Sequence, residues 1–429
     1  MSNRELNIGI AGLGTVGIGI FKILESNKTL LRKKTDSDFN IRAVSAKNKD
    51  KIRDINLGGT QWTEDPVDLA EIGDIDIIIE VMGGSSDPAK ALVENALQNG
   101  KHVVTANKAL LATHGHSLAM IAEENNVALR FEAAVAGGIP IIKALIEGLA
   151  SNSIYRIAGV LNGTCNYILT RMEATGNSYK KIFEEAESLG YVEANPKLDV
   201  GGIDAAQKLA LLSSIGFQNQ IDFENIEIEG IEKISLFDIE NAKEMGYRIK
   251  LLGIAQLTDH GLYQEVQPCL VREESAISKL EGGTNMVIVD SDFIGRTFLS
   301  GPGAGQGPTA SAIVSDLIDV ANNKISPVFG SSASTLEKIK KGTKGINRCY
   351  YLRLSLVDEP GALAQVATVL GNNKISIDRM RQKAHDGNVA PILIVTHETT
   401  FQSVKTALAE IKDLDVCLQA PVSIKIEEM

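Results

Sequence analysis

Four charged residues in the middle of the chain are spaced so that they could act together on an amino acid. Asp204 and Lys208 stand four positions apart, and Glu193 and Asp199 precede them in the same block. Residues at i and i+4 share one face of a helix, so these side chains could converge. Carboxylates would hold a substrate ammonium, and the lysine would act on a reacting oxygen. The alternative is an exposed ion pair, which contributes only about 0.3–0.5 kcal/mol to stability.

Lys108 is a second lysine in a position that favours chemistry. It follows an apolar segment at residues 103–105 that has the character of a sheet strand. The carboxyl end of a parallel strand is the edge at which open α/β sheets bind ligands. A lysine that simply begins a helix in solvent is the alternative interpretation.

The glycine-rich loop at residues 12–17 has the GxGxxG spacing of a dinucleotide-binding turn. Its residues are Gly12, Leu13, Gly14, Thr15, Val16 and Gly17. The loop follows an apolar strand pattern and opens a helical pattern, which is the context that the motif needs. The first glycine allows a tight turn, the second lets the backbone approach a pyrophosphate, and the third lets helix and strand pack closely. Free N–H groups and the dipole at the start of the helix then attract the phosphates.

The end of the second predicted strand bears on which nicotinamide cofactor is bound. An NAD site usually has an Asp or Glu here to hold the ribose 2′-hydroxyl, and this segment has none. Lys47 follows the strand instead, with Arg42 and Lys49 nearby. Because a cation suits a 2′-phosphate, the sequence favours NADP, or admits it beside NAD. Lysines that only solvate a surface loop are the alternative.

Alternating strand and helix patterns over residues 1–135 predict the fold that would position these groups. Strands are predicted at residues 6–11, 40–46, 76–82, 102–105 and 127–132, with helices at 16–25 and 88–99. Continuous apolar runs are typical of parallel strands that are buried on both faces. We therefore expect an α/β fold whose first domain is a Rossmann-type parallel sheet.

Three further regions are predicted beyond the first domain. Residues 136–325 have the mixed patterns of an α+β substrate and dimerisation domain, whose segment 301–325 returns to the nucleotide domain. Residues 326–348 include a Ser-, Lys- and Gly-rich stretch that predicts a linker. Residues 349–429 have the order βαββαβ, which is typical of a small ferredoxin-like domain.

The composition excludes several classes of function. The formal net charge of -11 repels phosphate backbones, and only 5% of residues are aromatic, so nucleic acid is a poor partner. The four cysteines are far apart without CxxC spacing, which indicates neither a zinc site nor a disulfide framework. No apolar run reaches membrane-spanning length, and the N-terminus has no signal-peptide pattern. We expect a cytoplasmic protein with no membrane partner.

Six motifs together resemble the homoserine dehydrogenase family. They are GLGTVG (12–17), VTANK (104–108), EAAVAGGIPII (132–142), NGTCNYI (162–168), GYVEANPKLDVGGIDAAQKL (190–209) and GPGAGQGPTA (301–310). The C-terminal region resembles an ACT domain, through the segments 358–364 and 373–377, so the resemblance covers nearly the whole chain. It implies reduction of L-aspartate 4-semialdehyde to L-homoserine with NADH or NADPH, on the route to threonine, isoleucine and methionine. We expect the monofunctional form, because no kinase-sized segment precedes the first strand.

The resemblance also implies roles for individual residues. Lys208 matches the family's catalytic lysine, which would donate a proton to the carbonyl oxygen, and Lys108 matches its second active-site lysine, beside the nicotinamide. Glu193 and Asp204 match carboxylates that bind the substrate, and Asp199 lies in the same block. The expected cofactor-binding set comprises the 12–17 loop with Lys47, Gly83, Lys108, Gly190 and Gly303. Of these, Gly190 and Gly303 match positions that close on the cofactor.

A monovalent cation and an effector are further implications of the resemblance. The family binds a cation, usually sodium, through a Glu side chain and nearby carbonyls, which here would be Glu132, Val135, Gly137 and Ile139. ACT domains bind amino acids, and threonine is the expected inhibitor. A module that only dimerises is the alternative. We expect a homodimer or a homotetramer.

Two other functions have to be weighed against this interpretation. A semialdehyde dehydrogenase that forms a thioester needs a catalytic cysteine, for which Cys165 would be the candidate. An amino-acid sensor with a Rossmann domain, an ACT domain and no turnover is the second alternative. The two lysines argue against the sensor, and a thiol-blocking reagent would separate the two kinds of enzyme.

Overall fold

A six-stranded parallel sheet occupies the first third of the chain. The computed structural model of the protein describes residues 4–192, 195–342, 346–382 and 387–429. The strands of this sheet are β1 (Arg4–Ala11), β2 (Ser37–Ser45), β3 (Gln61–Thr63), β4 (Ile77–Glu80), β5 (His102–Thr105) and β6 (Leu129–Arg130). Their order is β3-β2-β1-β4-β5-β6, and every pair is parallel. This is the Rossmann order, so the predicted fold class is confirmed.

Helices cover both faces of this sheet, and the central part of it is therefore apolar. They include α1 (Thr15–Ser26), α2 (Lys28–Thr35), α3 (Ala89–Gln98) and α4 (Lys108–Glu124). Ile8, Ile10 and Ile78 have no exposed surface. Strand order reverses between β1 and β4, and the loops that follow these two strands therefore form the crevice in which such sheets bind ligands.

The rest of the chain builds a second, eleven-stranded sheet. Its strands are β7 (Ile154–Val160), β8 (Glu227–Ile228), β9 (Tyr247–Thr258), β10 (Gly261–Arg272), β11 (Thr284–Ser291), β12 (Arg296–Pro302), β13 (Asn347–Val357), β14 (Ile377–Gln382), β15 (Val389–Thr396), β16 (Thr399–Thr400) and β17 (Val422–Glu427). The main order is β12-β11-β7-β9-β10-β17-β13-β15-β14, with β8 paired to β10 and β16 to β13.

The remaining helices flank this second sheet or return to the first. They are α5 (Ile141–Lys143), α6 (Gly163–Thr175), α7 (Tyr179–Ser188), α8 (Pro196–Val200), α9 (Ile203–Phe217), α10 (Leu236–Glu244), α11 (Gln306–Ala321), α12 (Ala362–Asn372) and α13 (Phe401–Lys412). Helix α11 packs against α1 so closely that a Cβ at Gly19 would lie 2.7 Å from the carbonyl oxygen of Gln306. Helices α4 and α9 pack against each other and join the two halves of the molecule. Among the helices of the described residues, none combines the length and the hydrophobicity that a transmembrane span requires.

The C-terminal strands and helices form the predicted βαββαβ unit, in the order β13, α12, β14, β15, α13 and β17. Its sheet is not separate, because β17 pairs in parallel with β10 and Cys269 stands opposite Lys425. The sequence analysis treated residues 349–429 as a domain of their own and made no prediction of this pairing. Pairing the two sheet edges satisfies backbone N–H and C=O groups that would otherwise be exposed.

Three segments differ in detail from their predictions. The segment predicted as a linker packs against the molecule, since Phe329, Ala333 and Leu336 are buried. Residues 140–150 have a sequence pattern that predicts one continuous helix, but they form the three-residue α5 and a π-helical turn at Ala144–Gly148. Strand β6 ends at Arg130, two residues before its predicted end, because the backbone N–H of Glu132 donates to Asp316 and draws the chain away from the sheet.

Candidate active site

The structure brings Lys108, Asp204 and Lys208 together in one cluster. The Nζ atom of Lys108 lies 3.1 Å from Oδ1 of Asp204, and that of Lys208 lies 2.8 Å from Oδ2. Lys108 is the first residue of α4 and follows β5, whereas Asp204 lies in the first turn of α9. The site therefore forms where the carboxyl edge of the first sheet meets the helices of the second.

The two lysines of the cluster have different surroundings. The side chain of Lys208 is 11% exposed and that of Lys108 is 27% exposed. The Nζ atom of Lys208 also donates to the carbonyl oxygen of Leu161 at 2.8 Å. An ammonium has three donors, so one N–H of Lys208 has no partner among the described residues and is left for a ligand.

The carboxyl group of Asp204 is held as an anion by its neighbours. Burial alone would raise its pKa, but the charges of Lys208 and Lys108 and the hydrogen bonds from Lys208 and Asn162 lower it to about 2. An aspartate that is ionised at every physiological pH keeps both lysines in place. It also balances one of their two positive charges.

Asn162 connects the carboxylates of the site, and the sequence analysis did not single it out. Its Nδ2 atom donates to Oδ1 of Asp199 at 3.0 Å and to Oδ2 of Asp204 at 2.8 Å. Its Oδ1 atom accepts the backbone N–H of Cys165 and so caps α6. An Asn before a helical pattern is a recognisable N-cap signal. Its bridge to Asp199 and Asp204 depends on residues that are far from it in sequence.

Of the other two predicted substrate-binding residues, the structure describes Asp199 but not Glu193. Asp199 is buried in α8 and hydrogen-bonded to Asn162, close to Asp204. Glu193 lies outside the described residues. Its role as a substrate ligand stays a prediction.

The glycine loop has the geometry that a pyrophosphate needs. Gly12 has φ +110°, and a Cβ there would lie 2.7 Å from the carbonyl oxygen of Val81. A Cβ at Gly17 would lie 2.2 Å from the carbonyl oxygen of Gly12, so these two positions require glycine for packing. Gly14 has open space at its Cβ position and precedes α1 without a side-chain cap. The N–H groups at the start of α1 are thus available to an anion.

Arg53 is a second residue that the sequence analysis missed. Its Nε atom donates to the carbonyl oxygen of Leu13 at 3.2 Å, and one of its terminal nitrogens donates to that of Asn48. Its guanidinium also lies over the ring of Trp62. The loop after β2 thus carries a fixed cation beside the glycine loop, while Lys47 is exposed there. Arg53 stands in an irregular segment, where no local pattern marks it.

A buried network fixes the loops that follow β4 and β5. The carboxylate of Glu80 accepts hydrogen bonds from the N–H groups of Met82 and Gly83 and from the hydroxyl of Thr105. Burial raises the pKa of Glu80, and these donors oppose that shift. Asn107 caps α4 and donates to the carbonyl oxygen of Gly84. The same network therefore fixes the position of Gly83 and the start of α4, where Lys108 lies.

The predicted closing residues Gly190 and Gly303 lie on separate segments. Gly190 follows α7 with φ +75° and open space at its Cβ position. A Cβ at Gly303 would lie 2.2 Å from Cγ of Asn285, and a Cβ at Gly137 would lie 2.5 Å from the carbonyl oxygen of Gly303. The backbones of the 301–305 segment and of the predicted cation loop are therefore in direct contact.

The predicted cation ligands surround a left-handed turn. Ala136 and Gly137 have φ +55° and +56°, with Val135 before them and Ile139 after them. The carboxylate of Glu132 is buried and accepts the backbone N–H groups of Ile142 and Lys143, each at 2.9 Å. Burial, reinforced by Asp316, raises the pKa of Glu132 to about 7.

One anionic oxygen donor with backbone carbonyls suits a monovalent cation better than a transition metal. Within the described ranges there is no group of three or more His, Cys, Asp or Glu side chains that could hold a metal ion. The residues present therefore fit the kind of ion that was predicted.

Cys165 does not have the surroundings of a nucleophile. It is completely buried, and its Sγ atom donates to the carbonyl oxygen of Asp199. Burial, with Asp199 and Asp204 nearby, raises the pKa of the Cys165 thiol well above its usual value. Nucleophilic cysteines need a lowered pKa and access to substrate. The geometry therefore argues against a thioester mechanism.

Comparison with known families accounts for most of the chain. The family described as "Homoserine dehydrogenase" matches residues 140–318. The family described as "Homoserine dehydrogenase, NAD binding domain" matches residues 12–132, and the ACT domain family matches residues 350–416.

Individual proteins are similar over the full length. A homoserine dehydrogenase from Neisseria gonorrhoeae is 40% identical over 435 residues, which cover 99% of each chain. The crystal structure of a homoserine dehydrogenase from Thiobacillus denitrificans has a TM-score of 0.93 at 39% identity, with 99% of each chain covered. A hyperthermophilic archaeal homoserine dehydrogenase in complex with NADPH covers 76% of this chain and 100% of its own, with a TM-score of 0.64 and 27% identity.

Proposed function

The chain belongs to the homoserine dehydrogenase family, and from this membership we propose how its own residues reduce L-aspartate 4-semialdehyde to L-homoserine. The observation that carries the proposal is the placement of Asp204 between Lys108 and Lys208, at the carboxyl edge of a Rossmann sheet. That edge brings a nicotinamide bound at the glycine loop next to two ammonium groups.

Lys208 is the proton donor in this mechanism. When bound, reduced nicotinamide supplies the hydride that forms the new C–H bond at the aldehyde carbon. The carbonyl oxygen then gains negative charge, takes a proton from Nζ of Lys208 and becomes the hydroxyl of homoserine. The N–H of Lys208 that Leu161 and Asp204 leave unused is available for this transfer.

Lys108 and Asp204 support the transfer by charge. The ammonium of Lys108 stabilises the developing oxyanion, because a fixed cation lowers the energy of negative charge that appears beside it. Asp204 keeps both lysines protonated and oriented through its two carboxylate oxygens. Asp199 and Glu193 are proposed to hold the ammonium of the substrate.

NADPH is the proposed cofactor, with NADH as the weaker alternative. The end of β2 carries no carboxylate that would repel a 2′-phosphate, and Lys47 and Arg53 place cations close by. A related archaeal enzyme is in complex with NADPH. Glycines 12, 14 and 17 would hold the pyrophosphate, while the Gly83, Gly190 and Gly303 segments would enclose the rest.

The cation, the effector and the assembly belong to the same proposal. Sodium would be held by Glu132 and the carbonyls of Val135, Gly137 and Ile139. Threonine would bind the ACT domain and inhibit turnover. A homodimer or homotetramer is supported by the exposed side chains of Phe293, Ile294 and Phe298 beside and on the edge strand β12. Placement in the cytoplasm stays a prediction from the sequence.

A spectrophotometric assay tests the proposal directly. Oxidation of NADPH at 340 nm is followed with aspartate semialdehyde, and the same assay is run with NADH, with threonine, and with sodium replaced by a larger organic cation. We expect turnover that depends on semialdehyde and a higher kcat/KM for NADPH. Absence of turnover with either cofactor would exclude the reaction. Turnover that threonine leaves unchanged would exclude only the effector.

A further inference from the structure

Lys250 is a buried lysine that takes part in none of the steps described above. It lies in β9 and is only 1% exposed. Its Nζ atom donates to Oδ1 of Asn166 at 2.8 Å and to the carbonyl oxygen of Leu280 at 2.5 Å. Among the described residues, no carboxylate lies within ion-pair distance of it. Burying an ammonium without a counter-ion is unfavourable, so these two neutral acceptors have to compensate for the lost water.

Both acceptors belong to one arrangement around the loop at residues 280–283. Asn166 accepts from Lys250 and donates through Nδ2 to the carbonyl oxygen of Gly282 at 2.8 Å. Lys250 and Asn166 thus hold two carbonyls of the turn, those of Leu280 and Gly282. The turn contains Gly282, with φ +57°, and Gly283. Paired glycines have little stiffness of their own, so the loop depends on these side chains for its conformation.

The 280–283 loop contacts the segments that are expected to enclose the cofactor. The carbonyl oxygen of Gly283 accepts the N–H of Gly303 at 3.4 Å. A Cβ at Gly283 would lie 3.9 Å from the ring of Tyr191, which directly follows Gly190. A Cβ at Gly163, next to Asn162, would lie 2.9 Å from the carbonyl oxygen of Gly283. The loop therefore lies against both closing segments and against the start of α6.

We propose that Lys250 is a positioning residue for hydride transfer, which together with Asn166 fixes the 280–283 loop as the support on which the Gly190 and Gly303 segments close over the cofactor. The inference rests on the proposed cofactor-binding role of those two segments. Lys250 itself touches neither substrate nor cofactor. Its effect is on cofactor affinity and on the geometry of the closed site.

The charge of Lys250 gives this role a pH dependence. The pKa of Lys250 is lowered to about 8, chiefly by burial and also by the charge of Arg248 on the same strand, while Glu173 on α6 and Glu281 in the loop oppose the shift. Below this pH the ammonium makes charge-assisted hydrogen bonds, which are stronger than neutral ones. Above about pH 8 the ammonium loses its proton, and its hydrogen bonds to Asn166 and Leu280 become weaker.

The experiment compares Lys250→Met and Lys250→Arg with a matched control. Lys101 is also a buried lysine that donates to two backbone carbonyls, those of Ile72 and Ile75, and burial lowers its pKa as well. It lies just before the amino end of β5, and its hydrogen bonds go to the first sheet's loops and not to the 280–283 loop. Lys101→Met therefore reproduces the loss of a buried lysine without changing the hydrogen bonds of the 280–283 loop. The readouts on the full-length enzyme are Tm, the Kd and KM for NADPH, and kcat from pH 6.5 to 9.5.

We expect Lys250→Met to raise the KM and Kd for NADPH about tenfold or more at pH 7, as misplacement of a binding segment does. In the wild type, both constants should rise as the pH increases through about 8, and this rise should be absent in both Lys250 variants. Lys250→Arg, which keeps its charge, should retain most of the affinity. Lys101→Met should lower Tm and leave the pH profile of the wild type unchanged.

Two results would overturn the inference. One is a folded Lys250→Met enzyme with the wild-type KM and pH profile, and the other is a wild type whose KM does not change across pH 8. If Lys250→Met does not fold, the comparison of wild type with Lys250→Arg decides. Gly303→Ala tests the premise separately, because unchanged NADPH affinity in that variant refutes the closing role of Gly303, whatever Lys250 does.

Discussion

Lys108 and Lys208 approach opposite oxygens of the same carboxylate, that of Asp204, at 3.1 and 2.8 Å. Lys108 comes from the helix that follows strand β5 of the first sheet, whereas Lys208 comes from a helix that packs on the second. The active site thus exists only when α4 and α9 are packed together. Any change that separates these helices removes one lysine from the other without altering either residue.

Replacing Lys208 by alanine should lower kcat by at least about a hundredfold, since a positioned proton donor typically contributes about 10²–10⁴-fold in rate. The Kd for NADPH should barely change, because Lys208 is buried beside the substrate position and not in the glycine loop. Steady-state kinetics and titration of NADPH fluorescence measure the two quantities. Near-normal turnover in a variant that binds NADPH would remove Lys208 from the chemistry.

Asp204 should stabilise the fold in a pH-dependent way. Its folded-state pKa of about 2 lies below the ordinary value of 3.8, so the stabilisation is complete above about pH 4 and is lost as the pH falls through about 2. Urea unfolding of the wild type and of Asp204→Asn between pH 3 and 7 tests this. The difference in unfolding free energy should be largest near neutrality, of order 2 kcal/mol by linkage, and should shrink below pH 4. A difference that grows as the pH falls would contradict the assignment.

Variants of Asn162 can separate its two roles, which are to cap α6 and to bridge the carboxylates of Asp199 and Asp204. Asn162→Ser keeps a good N-cap for α6 but cannot reach both Asp199 and Asp204. Asn162→Ala removes the cap as well, which costs about 1 kcal/mol. We expect the serine variant to melt closer to the wild-type temperature than the alanine variant does, because it keeps the cap. Its kcat/KM should fall about tenfold, because without the bridge the carboxylates of Asp199 and Asp204 shift, and a small misplacement of active-site groups lowers the rate strongly. Equal kcat/KM in wild type and serine variant would show that the bridge does not matter for turnover.

The sequence was sufficient for groups that act through local patterns. The glycine loop, the strand before Lys108 and the Asp204–Lys208 spacing were all predicted from neighbours in sequence, and the structure places each of them at the expected edge or helix face. These groups are readable because strand, turn and helix periodicity determine where their side chains point.

The groups that were missed depend on contacts between distant parts of the chain. Asn162 meets Asp199 and Asp204 across 37 and 42 residues, and Lys250 meets Asn166 across 84. Arg53 reaches Leu13 from an irregular loop. The pairing of β10 with β17 was missed for the same reason, because neither strand's own sequence indicates which strand lies at its edge. Tertiary packing, not local propensity, selects these partners.

Gly14 and Gly17 of the glycine loop should respond differently to alanine. Gly14 has φ -82° and open space at its Cβ position, so Gly14→Ala should leave Tm within about 2 °C of wild type, as surface substitutions usually do. The added methyl would occupy the path by which the pyrophosphate approaches the start of α1, and the Kd for NADPH should rise at least about tenfold.

In Gly17→Ala the methyl would lie 2.2 Å from the carbonyl oxygen of Gly12, so this variant should lose stability as well as affinity. Thermal melting and quenching of the single tryptophan, Trp62, on NADPH addition separate the two effects. If Gly14→Ala bound NADPH as tightly as the wild type, the pyrophosphate could not lie against this loop.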